Sequence, residues 1–459
     1  MGRNSRERHK SKRKAADAAR RRRGATDSGL DDATSRMGAW STPWHRQIAE
    51  QLIEQAISAL HFQQAGEFEH VLDLLDAGPG GAVGVQVVNR ALFAALLGEV
   101  ERAWRRGWQP SELVRAAHRE HTMRHARLVA DACAARMRDY PAATIGHAWK
   151  MQMAAIEACV WWTHDDLFVN DWAERQGVDR ATSIATTIEV LHLLLAMPPV
   201  EPVCPMPGAV GSADIGAVGR DLDQRLLDRV RALLAKAEAT DFPEEAEAYT
   251  AKAQELMTRH RIDHALLAAT AGDRDRPAVR RIAVDNPYEV PKTLLLQVVA
   301  EANTCRAVWM KRFGLVAVVG FAADLEATEV LFTSLLVQAT RTMTASGSKA
   351  DTSGRNTTRS FRQSFLASYA SRIGERLCAV SDQVGREAGA SERGAALLPV
   401  LAARSDAVNG AFAEQFPDLT QISTHVNNRE GWASRRVAAD RAALHGRDEL
   451  AGERHGLRD

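Results

Sequence analysis

The sequence predicts a mainly α protein that ends in an α+β domain, and three patterns carry that prediction. Apolar residues recur at helical spacing almost throughout from Pro43 to Pro198, a further pair of amphipathic helices lies between Arg225 and Asp263, and the pattern turns β-like from Leu315 to Phe321 (LVAVVGF). At 459 residues the chain exceeds what one core usually organises, and 45% hydrophobic content is ample for several. The expected division is a disordered basic arm over 1–39, an all-α domain over 40–198, a Pro/Gly-rich linker over 199–219, a helical hairpin over 220–270 and an α+β domain over 288–459. In the last, a small β-hairpin packs with helices.

Residues 1–23 (MGRNSRERHKSKRKAADAARRRR) hold eleven Lys or Arg against Glu7 and Asp17, a local balance of +9. The whole chain has a formal charge of +1, so the remainder carries −8. A run of like charges with few apolar residues repels itself and has little to bury, which predicts disorder. Its densest cations, Arg20, Arg21, Arg22 and Arg23, are candidates for neutralising the phosphates of DNA or RNA. A solvated tail that contacts nothing in particular would use the same residues. The arm lacks the apolar run of a secretory signal, and the longest apolar stretches, such as Ile188 to Met197, are too short and too interrupted to span a bilayer. Five scattered cysteines, odd in number, argue for a reducing cytoplasm. The expected protein is therefore cytoplasmic and has no membrane partner.

Within the all-α region, Ile48, Leu52, Ile53, Ala56 and Leu60 form one stripe and Val88, Leu92, Ala95, Leu96 and Leu97 another. Leu113, Val114, Ala117, Leu128 and Ala132 continue the theme. Gly78 to Gly84 (GPGGAVG) is a connector and not a phosphate loop, since no Lys-Ser/Thr ending follows it. Pro110 after Gln109 opens a helix, as a proline in the first turn does. His118, His121 and His125 share a face if their segment is one helix, and His121 with His125 then has metal-ligand spacing. HREHTMRH lacks the His-Glu-x-x-His of a zincin, and the Glu-x-x-His pairs Glu67/His70 and Glu189/His192 are close to chance frequency. Trp104 and Trp108 flank Arg105 and Arg106, a pattern that serves base stacking and, more commonly, a core. Ala173 to Thr182 (AERQGVDRAT) resembles the front half of a DNA-binding helix-turn-helix, which would aim Arg180 and Thr182 at a groove. Ser183 and Thr186 then stand where that motif wants apolar residues.

In the central pair, Leu226, Val230, Leu233, Leu234 and Ala237 line one helix, and Ala246, Tyr249, Ala253, Leu256 and Met257 the next. Asp241 is the expected cap of the second helix, with Glu244 at the capping-box position, and Arg259, His260 and Arg261 complement the dipole at its far end. Residues 225–263 (RLLDRVRALLAKAEATDFPEEAEAYTAKAQELMTRHRID) resemble the bacterial and phage family known as domain of unknown function 2786. Downstream, Leu294 to Ala302 reads as a helix, Cys305 to Met310 and Leu315 to Phe321 as strands, and a helix opened by Asp324 runs to about Met343. With AEANTCRAVW at 300–309, Gly320 ahead of Asp324 and FRQSF at 361–365, this stretch resembles domain of unknown function 7168. Neither resemblance brings catalytic residues; the first implies a helical hairpin in a bacterial or phage protein.

No nucleophile elbow or catalytic cysteine motif is present, and no cofactor is expected. Lys349, Arg355, Arg359, Arg362, Arg372 and Arg376 surround a helix whose apolar face is Phe361, Phe365, Tyr369 and Ile373. Arg355, Arg359 and Arg362 are the candidates there for a phosphate backbone. The leading expectation is a non-enzymatic nucleic-acid-associated protein. The alternatives are an enzyme with a metal-dependent site at His118, His121 and His125, and a helical protein-interaction scaffold.

Overall fold

The computed structural model describes residues 34–79, 82–209, 217–271, 276–345, 358–390 and 394–417. Arg20, Arg21, Arg22, Arg23 and Arg355 lie outside them. The described chain is mainly helical with one small sheet, as the sequence predicts. It forms two compact units. One gathers the helices through Ala103 with Met123–Met137 and Glu157–Met197, and the other gathers Trp104–Thr122, Arg138–Ile156 and everything from Pro198 onward.

The first unit contains α1 (Thr34–His61), α2 (Ala65–Ala77), α3 (Ala82–Arg105) as far as Ala103, α5 (Met123–Met137), α7 (Phe168–Gln176) and α8 (Arg180–Leu195). Helix α8 is its centre, packing against α1, α2, α5 and α7. Its sequence explains how it is buried on more than one face: Ile184, Ile188 and Leu191 are sealed, while Thr186 and Thr187 donate their hydroxyls to Thr182 O and Ser183 O one turn back. A buried threonine satisfied by its own helix leaves no polar group stranded. Gly177 ends α7 in the left-handed region (φ 63°), and Asp179 caps α8 by accepting from Thr182 N at 2.8 Å.

That turn corrects the helix-turn-helix expectation. Arg180 points inward, donating to Leu75 O (3.1 Å), Asp76 O (2.8 Å), Asp76 Oδ1 (3.2 Å) and Asn89 Oδ1 (2.9 Å). Burial holds its pKa below the usual arginine value, and the end of α2 and the side of α3 supply the acceptors that keep it there. Ser183 is also buried, donating to Val169 O. The guanidinium is a structural pin whose donors are spent on α2 and α3 instead of a groove.

The second unit contains α4 (Pro110–Glu120), α6 (His147–Ala155), α9 (Ala217–Ala239), α10 (Pro243–Ala271), α11 (Glu289–Ala302), α12 (Ala322–Ala345), α13 (Thr358–Gly389) and α14 (Gly394–Gln415) around a sheet of β1 (Ala278–Ala283), β2 (Arg306–Met310) and β3 (Leu315–Gly320). The strand order is β1-β3-β2, antiparallel throughout, with Arg281 opposite Ala317 and Val308 opposite the same residue on the other side. Alternation along β3 divides two cores. Val316 and Val318 join Val230, Leu234, Ala253, Met257, Leu296, Val299, Leu331 and Leu377, whereas Ala317 and Val319 face Val308, Ala411 and Phe412. The hairpin α9–α10 thus contributes its apolar stripe to the main core of this unit. Helices α11 and α13 pack closely because Gly374 has no side chain, since a Cβ there would meet Val298 at 2.9 Å.

Strand β1 falls between the expected hairpin and the expected α+β domain, where the sequence shows no β-like alternation, and Arg280 and Arg281 are the reason. Arg281 is in fact buried (side chain 1% exposed), bonded to Glu112 at 2.6 Å and to the carbonyls of Gly107 and Glu201. Arg280 pairs with Glu329. The hairpin cap also differs from expectation. Asp241 pairs with Arg341, while Thr240 Oγ1 accepts from Phe242 N and donates to Glu245. Asp324 lies in the first turn of α12, buried 3.9 Å from Arg404, rather than at its cap.

Candidate functional site

The family-like hairpin carries a polar strip inside its apolar face. Gln254, fully buried on α10, donates to Ser381 Oγ of α13 at 2.9 Å and to Ala302 O at 3.3 Å. Arg261 and Ser381 converge on the same carbonyl. That carbonyl is free to accept because α11 ends there: Asn303 Nδ2 turns back to Val299 O, Thr304 takes a positive φ (59°), and Cys305 N returns to Ala300 O. The asparagine-cysteine segment is therefore a helix stop that hands the chain to β2. Burial pushes the Cys305 thiol up to about 12, and Asp324 adds to the effect. A thiol held protonated by burial is a poor nucleophile at neutral pH. The strip locks α10, α11 and α13 together.

The basic positions of α13 lie elsewhere. Arg359 is exposed and Arg362 half-buried, near the start of that helix, and neither has an ion pair among the described residues. Beside them Phe361, Phe365 and Tyr369 stack successively, with centroids 6.4 and 6.2 Å apart. Phe365 and Tyr369 pack with Leu366 onto Ala339 and Met343, so the last turns of α12 adjoin the first turns of α13. Residues 346–357, which include Lys349 and Arg355, join these two neighbouring ends. The other cations near α13 or on the hairpin are mostly held: Arg376 by Glu247, Arg259 by Glu255 and Glu387, Arg231 by Asp228 and Glu326, Arg341 by Asp241.

The candidate histidines do not lie on one helix. His118 is exposed in the last turn of α4, His121 ends that helix with φ −129° and ψ −112°, and His125 stands in the first turn of α5. Within the first unit, His125 is buried with Nε2 2.7 Å from Glu189 Oε2, an imidazole nitrogen and a carboxylate oxygen of the kind that transition metals take. Glu67 and His70 are exposed, so that pair is a surface feature. Trp104 and Trp108 are sealed in the second unit, Trp104 against Trp149 (5.0 Å) and Trp108 against Phe313 (4.7 Å), and neither ring is open to a base.

One group escaped the sequence reading. Asp131 of α5 is half-buried beneath Trp161, whose Nε1 donates to its Oδ1 at 3.1 Å, and desolvation raises its carboxyl from 3.8 to about 6. A single aspartate in a helix of alanines and arginines gives no local signal. The adjacent tryptophans Trp161 and Trp162 were the available hint.

Residues 225–264 match the model of a family described as a protein of unknown function (DUF2786). The match covers the second half of α9 and most of α10, the elements that carry the polar strip. No curated protein and no solved structure matches the chain.

Proposed function

We propose that this chain is a non-enzymatic nucleic-acid-associated protein of the bacterial cytoplasm, and that it grips phosphate backbone at the end of the second unit where α12 and α13 meet. One observation supports the reading most strongly. Arg231, Arg259, Arg280, Arg281, Arg341 and Arg376 of this unit are each held by a carboxylate, whereas Arg359, Arg362 and Arg372 have no ion pair among the described residues. Two of these, Arg359 and Arg362, stand in the first two turns of a helix, where the backbone dipole already favours anions over cations. A cation there is unfavourable alone and favourable beside a phosphate. Arg355 and Arg20 to Arg23, which lie outside the described residues, are the further cations this reading assigns to phosphate contact. The segment from 300 to 365 belongs, on this reading, to the module resembling domain of unknown function 7168 that accompanies the hairpin.

Backbone recognition predicts steep salt dependence and weak sequence preference. Fluorescence anisotropy with labelled single- and double-stranded DNA and RNA, run across a salt series, measures both. The Arg359→Ala/Arg362→Ala variant should bind more weakly to every sequence tested, with the log–log salt slope reduced by about 0.9 for each phosphate of duplex DNA that is no longer neutralised. Absence of binding at 50 mM salt by the full chain, or an unchanged slope in the variant, overturns the reading.

A further inference from the structure

The segment from Ala158 to His164 has neither helix nor strand, and it is attached to the first unit by two indoles. Trp162 is nearly sealed, edge-on to Phe168 (4.6 Å) and Phe93 (5.9 Å), with its Nε1 donating to Asp165 at 2.7 Å. Trp161 is held differently. Its ring contacts Trp162 and lies under the Arg175 guanidinium (4.3 Å), and its one hydrogen bond goes to Asp131. Trp172, fully buried on α7, turns its indole N–H toward the same carboxyl, and like Trp161 it favours the ionised form against the desolvation that raises the pKa. Asp131 is thus walled by aromatic surface from α7 and from the segment.

Arg175 is the one charged side chain acting on Asp131 among the described residues. The charges on the other elements around it are engaged elsewhere: Arg127 of α5 donates to Gln176, Arg180 of α8 is held by Asp76 and Asn89, and Glu189 of α8 takes His125. The indole donors Trp161 and Trp172 and the one guanidinium together offset only part of the desolvation of the carboxylate. We propose that Asp131 is a pH-sensitive latch, which docks the Ala158–His164 segment tightly when its carboxyl is neutral and loosens that docking when it ionises. The neutral acid suits the aromatic wall and still accepts from Trp161. The ionised acid is better solvated than its half-buried site allows, and displacing the segment that carries Trp161 widens its access to water.

Linkage gives the sign. A carboxyl that holds its proton up to about 6 when covered, against 3.8 when free, binds that proton more tightly in the docked state, so acidification drives docking. The full coupling between those two values is at most about 160-fold in the docking constant. The group changes charge across the mildly acidic range, where ordinary aspartates are already ionised.

The test uses the full chain with Asp131→Asn and Trp161→Phe variants. Tryptophan fluorescence of the parent should titrate with a midpoint near 6, Asp131→Asn should be flat there, and Trp161→Phe should lose most of the amplitude. Amide hydrogen exchange over residues 158–164 separates docking from simple quenching. The parent should exchange several-fold faster than Asp131→Asn at pH 7.5 and at the same rate at pH 5. A transition that persists in Asp131→Asn, or equal exchange of parent and variant at both pH values, overturns the proposal.

Discussion

Gly320 and Cys305 illustrate how one residue's identity follows from another's position. A Cβ on Gly320 would collide with the Cys305 sulfur, which is buried and fixed by Thr328 and by the helix stop preceding it. Gly320→Ala should destabilise the protein by about 1–3 kcal/mol, the usual penalty for overpacking a fixed site. Urea denaturation measures it, and adding Cys305→Ala should return most of the loss. If the double variant is merely the sum of its parts, the close approach is not the cause. Each residue was noticeable in sequence, Gly320 near the end of one expected strand and Cys305 at the start of another. Their proximity was not, because it joins the residue that follows a helix stop to the last residue of a strand two elements on.

Among the elements, β1 shows why a strand escapes pattern reading. Alternation is legible when the inward residues are apolar, and here an inward-facing position is Arg281. Its guanidinium is balanced by Glu112, which is itself buried in the first turn of α4 and also closes the capping box with Gln109. Removing one member of such a pair strands the other in a dry site, at a cost of about 3–5 kcal/mol. Glu112→Ala should show that loss in chemical denaturation, and an effect below about 1 kcal/mol would mean that water reaches Arg281. The neighbouring strands β2 and β3 posed no such difficulty. LVAVVG is buried on both faces, so its apolar run is continuous and β-branched, and it lies within two residues of the expected bounds.

At the scale of the whole molecule, charge is the informative quantity. The chain is nearly neutral, yet eleven cations crowd its first 23 residues and the rest is acidic. Many described arginines of the second unit face carboxylates, whereas Arg359, Arg362 and Arg372 of α13 do not. Global stability should also register Asp131. Its carboxyl is raised from 3.8 to about 6 in the fold, so its contribution is fully present below about 4 and is lost as pH rises through 6. Asp131→Asn should therefore raise the melting temperature at pH 8 and leave it nearly unchanged at pH 4. Calorimetry at the two pH values decides the matter, since a drop at pH 8 would make the carboxylate a net stabiliser. Among the described residues no helix is long and apolar enough to cross a membrane, in keeping with this distribution of charge.

Helical periodicity, the two stripes of the hairpin and the β-branched run of β3 were determined by the sequence alone, because each is a relation among residues within a few positions of one another. The family-like segment was legible for the same reason. Tertiary structure decided the fate of the polar residues. Arg180 became a pin through acceptors on α2 and α3, Arg281 entered a sheet because Glu112 awaited it, Trp104 and Trp108 were sealed, and Asp131 acquired an aromatic wall. A buried charge is defined by partners distant in the chain, and its energy depends on the water that those partners exclude. No local pattern encodes that exclusion, so the candidate site at Arg359 and Arg362 was recognisable in sequence only as basic, and the fold supplied the fact that no carboxylate among the described residues claims it.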